Sequence, residues 1–270
     1  MRKPVAIRGV ARMLGLGLWL MGGSAALAAS CGDTAQGFES WKAALAEGVG
    51  AHGLQALDSA RYAARTIAAD RNQKSFRYNL EKFMQVRGAD TIVAQGRKRR
   101  VRDAAFYDAL ERQYGVPAGI LIAIHGMETA FGGFMGDTSV VSAIVTLTYD
   151  CRRSEFFRPH AIGALKLVDR GSITGQTKGA RHGELGHTQF LPGNALTYGV
   201  DGNGDGRVDL YNLTDAMAST AHFLRQKGWR PGVGYAEGQP NFAVIEQWNA
   251  ATVYQQAIAL MAARIDGSGS

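Results

Sequence analysis

Cysteine is nearly absent from this chain: Cys31 and Cys151 are its only two, and their spacing fits no zinc pattern. No serine sits in a nucleophile elbow, and no glycine-rich phosphate loop opens a helix. The signatures of serine hydrolases and nucleotide-binding enzymes are therefore missing. Strand-like alternation is scarce and short, and there is no internal repeat. Acid is absent from the first 28 residues, and beyond them no apolar stretch is long enough to span a bilayer. These absences point to a mainly α-helical globular chain with no transmembrane anchor in its mature part.

What is present fits that class. Apolar residues make up 46% and charged residues 20%, enough to bury a core. The formal charge is +7, but Arg2, Lys3, Arg8 and Arg12 supply four of the 30 basic residues. Without them 26 basic residues face 23 acidic ones, a mild excess that gives little support to nucleic-acid binding. Residues 1–28 read as a signal peptide: a basic start, an apolar core over Met13–Leu20, and Ala26-Leu27-Ala28 as a small-residue cleavage site. A membrane anchor is the other reading, but Gly22, Gly23 and Ser24 break the apolar run. A lipid-modified Cys31 fits less well, because Ala28 stands where a lipoprotein signal usually has leucine. Residues 29–266 are expected to form one domain and 267–270 a disordered tail. In an oxidising compartment Cys31 and Cys151 can pair, and closing so long a loop contributes on the order of 4 kcal/mol. Two unrelated buried thiols is the alternative.

Several helices are legible from periodicity. Phe38, Trp41 and Leu45 share one face, as do Phe106, Leu110 and Tyr114. Gly115 caps the latter, and Pro117 suits the first turn of the next helix. Asp137-Thr138-Ser139 is an N-cap cluster before Val140–Leu147, and a short helix is expected over Ala161–Val168. Thr214 is placed as the cap of a helix that turns Met217, Ala221 and Leu224 inward and ends at Gly228. Tyr254, Ile258, Met261 and Ile265 form the stripe of a final helix. Residues 71–76 read as a loop, 171–186 as a glycine-rich loop, and 231–241 as a small hairpin. The basic run Arg97–Arg100 reads as a solvated helix face, with anion contact as the minor option.

One stretch invites chemistry. Ala118–Ile124 is apolar on every side, so as a helix it is buried all round. Glu128 follows at its end, before Gly132-Gly133. Burial and the negative end of the helix dipole both raise a carboxyl pKa there, as a general acid requires. Equally, the side chain could turn out to water as the helix ends. Asp137, Glu155 and Glu184 are the acids that could pair with it. His182 and His187 are five apart with glycines between, the wrong geometry for a zinc helix. A second pattern runs from Asp201 to Asp209. Asp201, Asn203, Asp205 and Asp209 hold positions 1, 3, 5 and 9 of an EF-hand loop, with Gly206 at 6 and the Arg207 carbonyl at 7. Position 12 is Asn212, so the missing carboxylate has to come from Asp215. Structural calcium is the expectation. A Gly/Asp-rich turn with no ion, with Asp215 serving its own helix's first turn, is the alternative.

Taken together, Tyr114-Gly115-Val116-Pro117, Glu128-Thr129-Ala130-Phe131-Gly132, Gly186-His187-Thr188-Gln189-Phe190-Leu191-Pro192, the aspartate loop with Asp215-Ala216, Gly228-Trp229, and Trp248-Asn249 with Tyr254 resemble the B-type lytic murein transglycosylases of Gram-negative bacteria. The likeness is clearest from Leu110 to Ile265. It implies a lysozyme-like fold with a small irregular or β insertion, and a periplasmic enzyme acting on peptidoglycan glycan strands as a monomer without an organic cofactor. The family's single catalytic glutamate corresponds to Glu128, acting as acid and then as base while the sugar's own C6 hydroxyl closes a 1,6-anhydro ring. Gln189 and Phe190 correspond to a cleft-lining segment, and Phe223, Asn249 and Tyr254 to positions that meet the sugar or the acid. The family's aspartate loop binds calcium, and its distal carboxylate corresponds to Asp215. Ala180 replaces a common serine, Phe223 a common tyrosine, and Leu185, His187 and Thr188 depart from the usual segment. These departures bear on sugar positioning. A hydrolytic muramidase and a non-catalytic wall-binding protein are the competing readings.

Overall fold

The computed structural model describes residues 31–72 and 78–267. The signal-peptide assignment, residues 73–77 of the expected 71–76 loop and its flank, and the last three residues of the tail lie outside the described residues. The chain is mostly helical. A short helix α1 (Phe38–Trp41) runs into a 3-10 turn (Lys42–Leu45), followed by α2 (Ala51–Ser59), α3 (Ala64–Arg71), α4 (Leu80–Val86), α5 (Ala89–Arg102) and α6 (Ala104–Tyr114). Helix α7 (Ala118–Thr129) is central, followed by α8 (Val140–Tyr149), α9 (Ser154–Asp169), α10 (Pro192–Tyr198), α11 (Leu213–Gln226), α12 (Phe242–Trp248) and α13 (Thr252–Asp266).

The all-apolar run behaves as its composition requires. In α7 only Glu128 escapes full burial, and the helix is enclosed by α5, α6, α11 and α13. Close approach depends on glycine at two turns. A Cβ on Gly119 would lie 2.5 Å from the carbonyl oxygen of Ala262 on α13, and one on Gly126 would lie 2.5 Å from Ile92 on α5. The Gly119 amide, an orphan donor of the first turn, donates to Asp266 at 2.9 Å and ties the start of α7 to the end of α13. The stripe of α13 is buried as its spacing predicts, as are Met217, Ala221 and Leu224 on α11 and Phe38, Trp41 and Leu45 at the start.

Four local expectations need correction. The helix expected over Ala161–Val168 begins at Ser154 and runs through Pro159, where both the proline and Glu155, whose carbonyl loses its partner, are exposed to water. Asn212 rather than Thr214 caps α11, its side chain accepting from the Thr214 amide at 2.8 Å. Pro117 occupies the cap position of α7, one residue before the first turn. No strand lies within 231–241. Buried Asn241 instead knots that loop, accepting from the Arg230 amide and donating to the Arg230 and Val233 carbonyls. The strands among the described residues form a two-residue antiparallel pair, β1 (Thr138–Ser139) against β2 (Lys178–Gly179), beside isolated bridges of Gly32 with Asp150 and Leu185 with Phe190.

Cys31 and Cys151 form a disulfide, with Cα atoms 5.0 Å apart across 120 residues. Beside it Arg152 and Arg153 both pair with buried Asp70 of α3, and Arg71 pairs with Asp150 at 2.9 Å. His182 lies 3.9 Å from the same Asp70, so this knot reaches the loop after β2. The basic run on α5 is held by neighbours: Arg97 donates to the Arg264 carbonyl, Arg99 stacks on Phe131, and Arg100 pairs with Asp108.

Candidate active site

Glu128 lies in the last turn of α7, where the chain leaves the helix sharply. Ala130, Phe131 and Gly132 all take positive φ (49°, 62° and 83°). Two non-glycine residues in that region mark a turn held by its surroundings. Thr129 does the holding: its hydroxyl donates to the His187 carbonyl at 2.7 Å and accepts from the Gly132 amide at 2.9 Å. The Glu-Thr pair thus joins the end of α7 to the segment containing Gln189.

The carboxylate is held on one side only. Tyr254 Oη donates to Glu128 Oε1 at 2.5 Å, and Trp248 Nε1 donates to the same oxygen at 3.3 Å. No hydrogen bond reaches Oε2 among the described residues. Tyr254 is buried on α13. Trp248, at the end of α12, is braced edge-on by Phe190 and Phe223 at centroid distances of 4.9 and 5.2 Å. Glu128 is half-buried by its own surface, yet packed deep among protein atoms, and meets solvent only through the cleft. Burial pushes its pKa up to about 7; the bonds from Tyr254 and Trp248 and the charge of Arg87 oppose the rise. Tyr254 is driven well above its ordinary value by burial and by Glu128, so it stays a donor.

The cleft over Glu128 has a volume of about 640 Å³. Gln189, Phe190, Phe223 and Asn249 line it, so the structure brings these four together with Glu128. Tyr254 stands behind the acid instead. Gln189 holds a left-handed φ of 57° and donates to the Gly186 carbonyl at 2.7 Å. Asn249 accepts from the Ala251 amide at 3.0 Å. Phe190 and Phe223 are almost wholly buried, so they shape the floor and brace Trp248 while offering little surface of their own. Trp248, Arg87, Arg181 and Phe134 also line the cleft. Trp248 belongs to the family-like Trp248-Asn249 pair but carries no expected role there, and the other three have no signal in the sequence.

The departures from the family pattern find places. Ala180 lines the cleft without a hydroxyl. Leu185 exchanges backbone hydrogen bonds with Phe190 at 2.9 and 3.0 Å. Thr188 accepts from Thr220 at 2.9 Å in the core. His187 faces His125 at 3.1 Å, and burial, with His187 and Arg99 nearby, pushes His125 down to about 3, keeping it neutral. Among the candidate second acids, Asp137 and Glu184 line the cleft, whereas Glu155 lies beside the disulfide. Glu184 is engaged by the His182 amide at 3.2 Å and stands 3.6 Å from its imidazole.

The aspartate loop lies outside the cleft. Asp201 accepts from the amides of Gly204, Asp205 and Gly206, and Asn203 from that of Asp205. Buried Asp215 reaches back to accept from Gly202, Asn203 and Asp209. Arg207 places its amide on Asp205 and its guanidinium on the Gly171 carbonyl. The donors are all oxygen, which suits calcium. Their carboxylates turn onto the loop's own amides, and no group of three His, Cys, Asp or Glu gathers as a metal site among the described residues.

Residues 33–238 match the transglycosylase SLT domain family. Over 148 residues the chain is 35% identical to membrane-bound lytic murein transglycosylase B of Escherichia coli K12, a match covering 50% of this chain and 41% of that relative. The chain thus spans less than half the length of that protein. SltB3 from Pseudomonas aeruginosa, solved in complex with NAG-anhNAM-pentapeptide, superposes with a TM-score of 0.77 at 26% identity, covering 86% of this chain and 80% of SltB3. The Escherichia coli lytic transglycosylase Slt35 in complex with calcium has a TM-score of 0.68 at 22% identity, covering 79% and 86%.

Proposed function

The chain belongs to the transglycosylase SLT domain family, and on that footing we propose that it is a lytic murein transglycosylase. It cleaves the β-1,4 bond between N-acetylmuramic acid and N-acetylglucosamine in peptidoglycan without consuming water. The observation that carries this reading is the one-sided grip on Glu128. With Tyr254 and Trp248 both donating to Oε1, the proton of the neutral acid resides on Oε2. A pKa near 7 leaves that proton available and lets it return.

Glu128 passes the Oε2 proton to the glycosidic oxygen, and the bond from that oxygen to C1 of the muramyl residue breaks. The N-acetylglucosamine side leaves with its hydroxyl restored. The Glu128 carboxylate then takes the C6 hydroxyl proton as O6 bonds C1, closing the 1,6-anhydro ring and restoring the acid. One carboxyl suffices for both transfers. Glu184, already engaged by His182, is poorly placed to activate the water that a muramidase would need. Gln189, Asn249, Phe190 and Phe223 shape the sugar-binding walls, and Tyr254 positions the acid.

The same reading extends to residues 29–266 as one catalytic domain, exported to the periplasm by the signal peptide at 1–28. The disulfide supports export to an oxidising compartment. The enzyme is taken to act as a monomer. When bound, calcium would cross-link the loop and the start of α11 through Asp201, Asn203, Asp205, the Arg207 carbonyl and Asp215. Its part is structural.

Digestion of purified peptidoglycan by the protein and by Glu128→Gln tests the proposal. The protein is expected to release muropeptides ending in 1,6-anhydro sugars, one water lighter than hydrolysed ones, and the variant to release none. Equal release by both would remove Glu128 from the mechanism, and reducing ends alone would establish the muramidase.

A further inference from the structure

Two guanidiniums stand on the cleft without an acid in ion-pair contact. Arg87 caps the C-terminus of α4, exposed, its cation 5.5 Å over the ring of fully buried Phe83. Arg181 is exposed on the loop after β2, on the same cleft as Glu128. Neither side chain makes an ion pair or hydrogen bond with any described residue. Nearby Arg152 and Arg153, in contrast, are both committed to Asp70. Of the other acids on the cleft, Glu184 is engaged by His182, and Asp137 accepts from the Thr138 hydroxyl at 3.3 Å.

The proposed substrate gives these cations a purpose. Where the lactyl group is amide-linked to a stem peptide, the disaccharide backbone carries no charge, and all the anionic groups sit on the stem. A guanidinium gains most from a carboxylate, which it can meet with two parallel hydrogen bonds. Stacking on Phe83 limits the freedom of the Arg87 side chain in advance, which lowers the cost of fixing it on a ligand. We infer that Arg87 and Arg181 bind carboxylates of the stem peptide, so that the enzyme selects strands bearing acidic stems; this rests on the transglycosylase reading.

The test compares peptidoglycan strands with native stems against the same strands whose stem carboxylates have been converted to neutral amides. Size and sugar sequence are kept, and only the charge is removed. For two largely exposed charge pairs, amidation is expected to raise KM by about fivefold, and added salt to raise KM on the native strands alone. In Arg87→Gln/Arg181→Gln the ratio of the two KM values falls to near one. The ratio is the readout because Arg87 also acts on the ionisation of Glu128, which moves kcat. Equal KM on both substrates for the unmutated protein overturns the inference while leaving the transglycosylase reading intact. A ratio that persists in the double variant assigns the selectivity to other residues. Cleavage of neither substrate would overturn the function and this inference with it.

Discussion

Replacing Glu128 by glutamine is expected to stabilise the protein, and only at neutral to alkaline pH. The carboxyl has an ordinary value of 4.5 in the unfolded chain and about 7 in the folded one. Below pH 4.5 both states hold the proton and the group contributes no difference. Between 4.5 and 7 the unfolded chain releases it first, so stability falls as pH rises. Above 7 the folded protein carries a buried carboxylate, and the accumulated penalty is about 3 kcal/mol, at 1.36 kcal/mol for each pH unit between the two values. Water entering through the cleft reduces the size of this penalty and not its sign. Glutamine keeps the shape and cannot ionise. Any pH-independent change from altered hydrogen bonding to Tyr254 cancels when two pH values are compared. The assay is thermal unfolding of both proteins at pH 4 and pH 8. The variant's advantage at pH 8 over that at pH 4 should be roughly 6–12 °C for a chain of this size. A difference that is flat across pH, or larger at pH 4, would refute a raised Glu128 pKa and the acid role that depends on it.

Other expectations follow from the same contacts. Tyr254→Phe removes a donor from ionised Glu128, a bond of about 1.5–3 kcal/mol, so the alkaline limb of the pH–rate profile should move up by about one to two pH units. Trp248→Phe should move it in the same direction and by less, given its longer bond; a limb that moves down would contradict the assignment. Reducing the Cys31–Cys151 disulfide should cost on the order of 4 kcal/mol, read as a lower Tm, and no change would mean that the unfolded chain is already compact. Adding millimolar calcium to chelator-treated protein should raise Tm, with the rise abolished in Asp215→Asn; an unchanged Tm would leave the aspartate loop a turn held by its own amides.

The parts of this molecule that sequence made legible are those encoded within one helix. The run Ala118–Ile124 announced a helix buried on every side, and the stripe of Tyr254, Ile258, Met261 and Ile265 announced its partner. Glu128 drew notice because a carboxyl at the end of such a helix is costly. The grip on its Oε1 was less accessible, because Trp248 and Tyr254 lie 120 and 126 residues away and meet it only through packing. Arg87 and Arg181 carried no local signal, since exposed arginines are common and only the fold brings them to one cleft. The expected hairpin at 231–241 failed for a local reason: a buried Asn241 side chain takes the backbone groups that a strand partner would have taken. Phe190 and Phe223 line the cleft, and their burial gives them a bracing part that a motif does not convey.

If Glu128 alone carries the proton both ways, no water enters the bond being cleaved. Digesting peptidoglycan in water enriched in heavy oxygen measures this directly. The expected products are muropeptides ending in 1,6-anhydro rings that carry no heavy oxygen. Heavy oxygen at C1 of the muramyl product would contradict this reading.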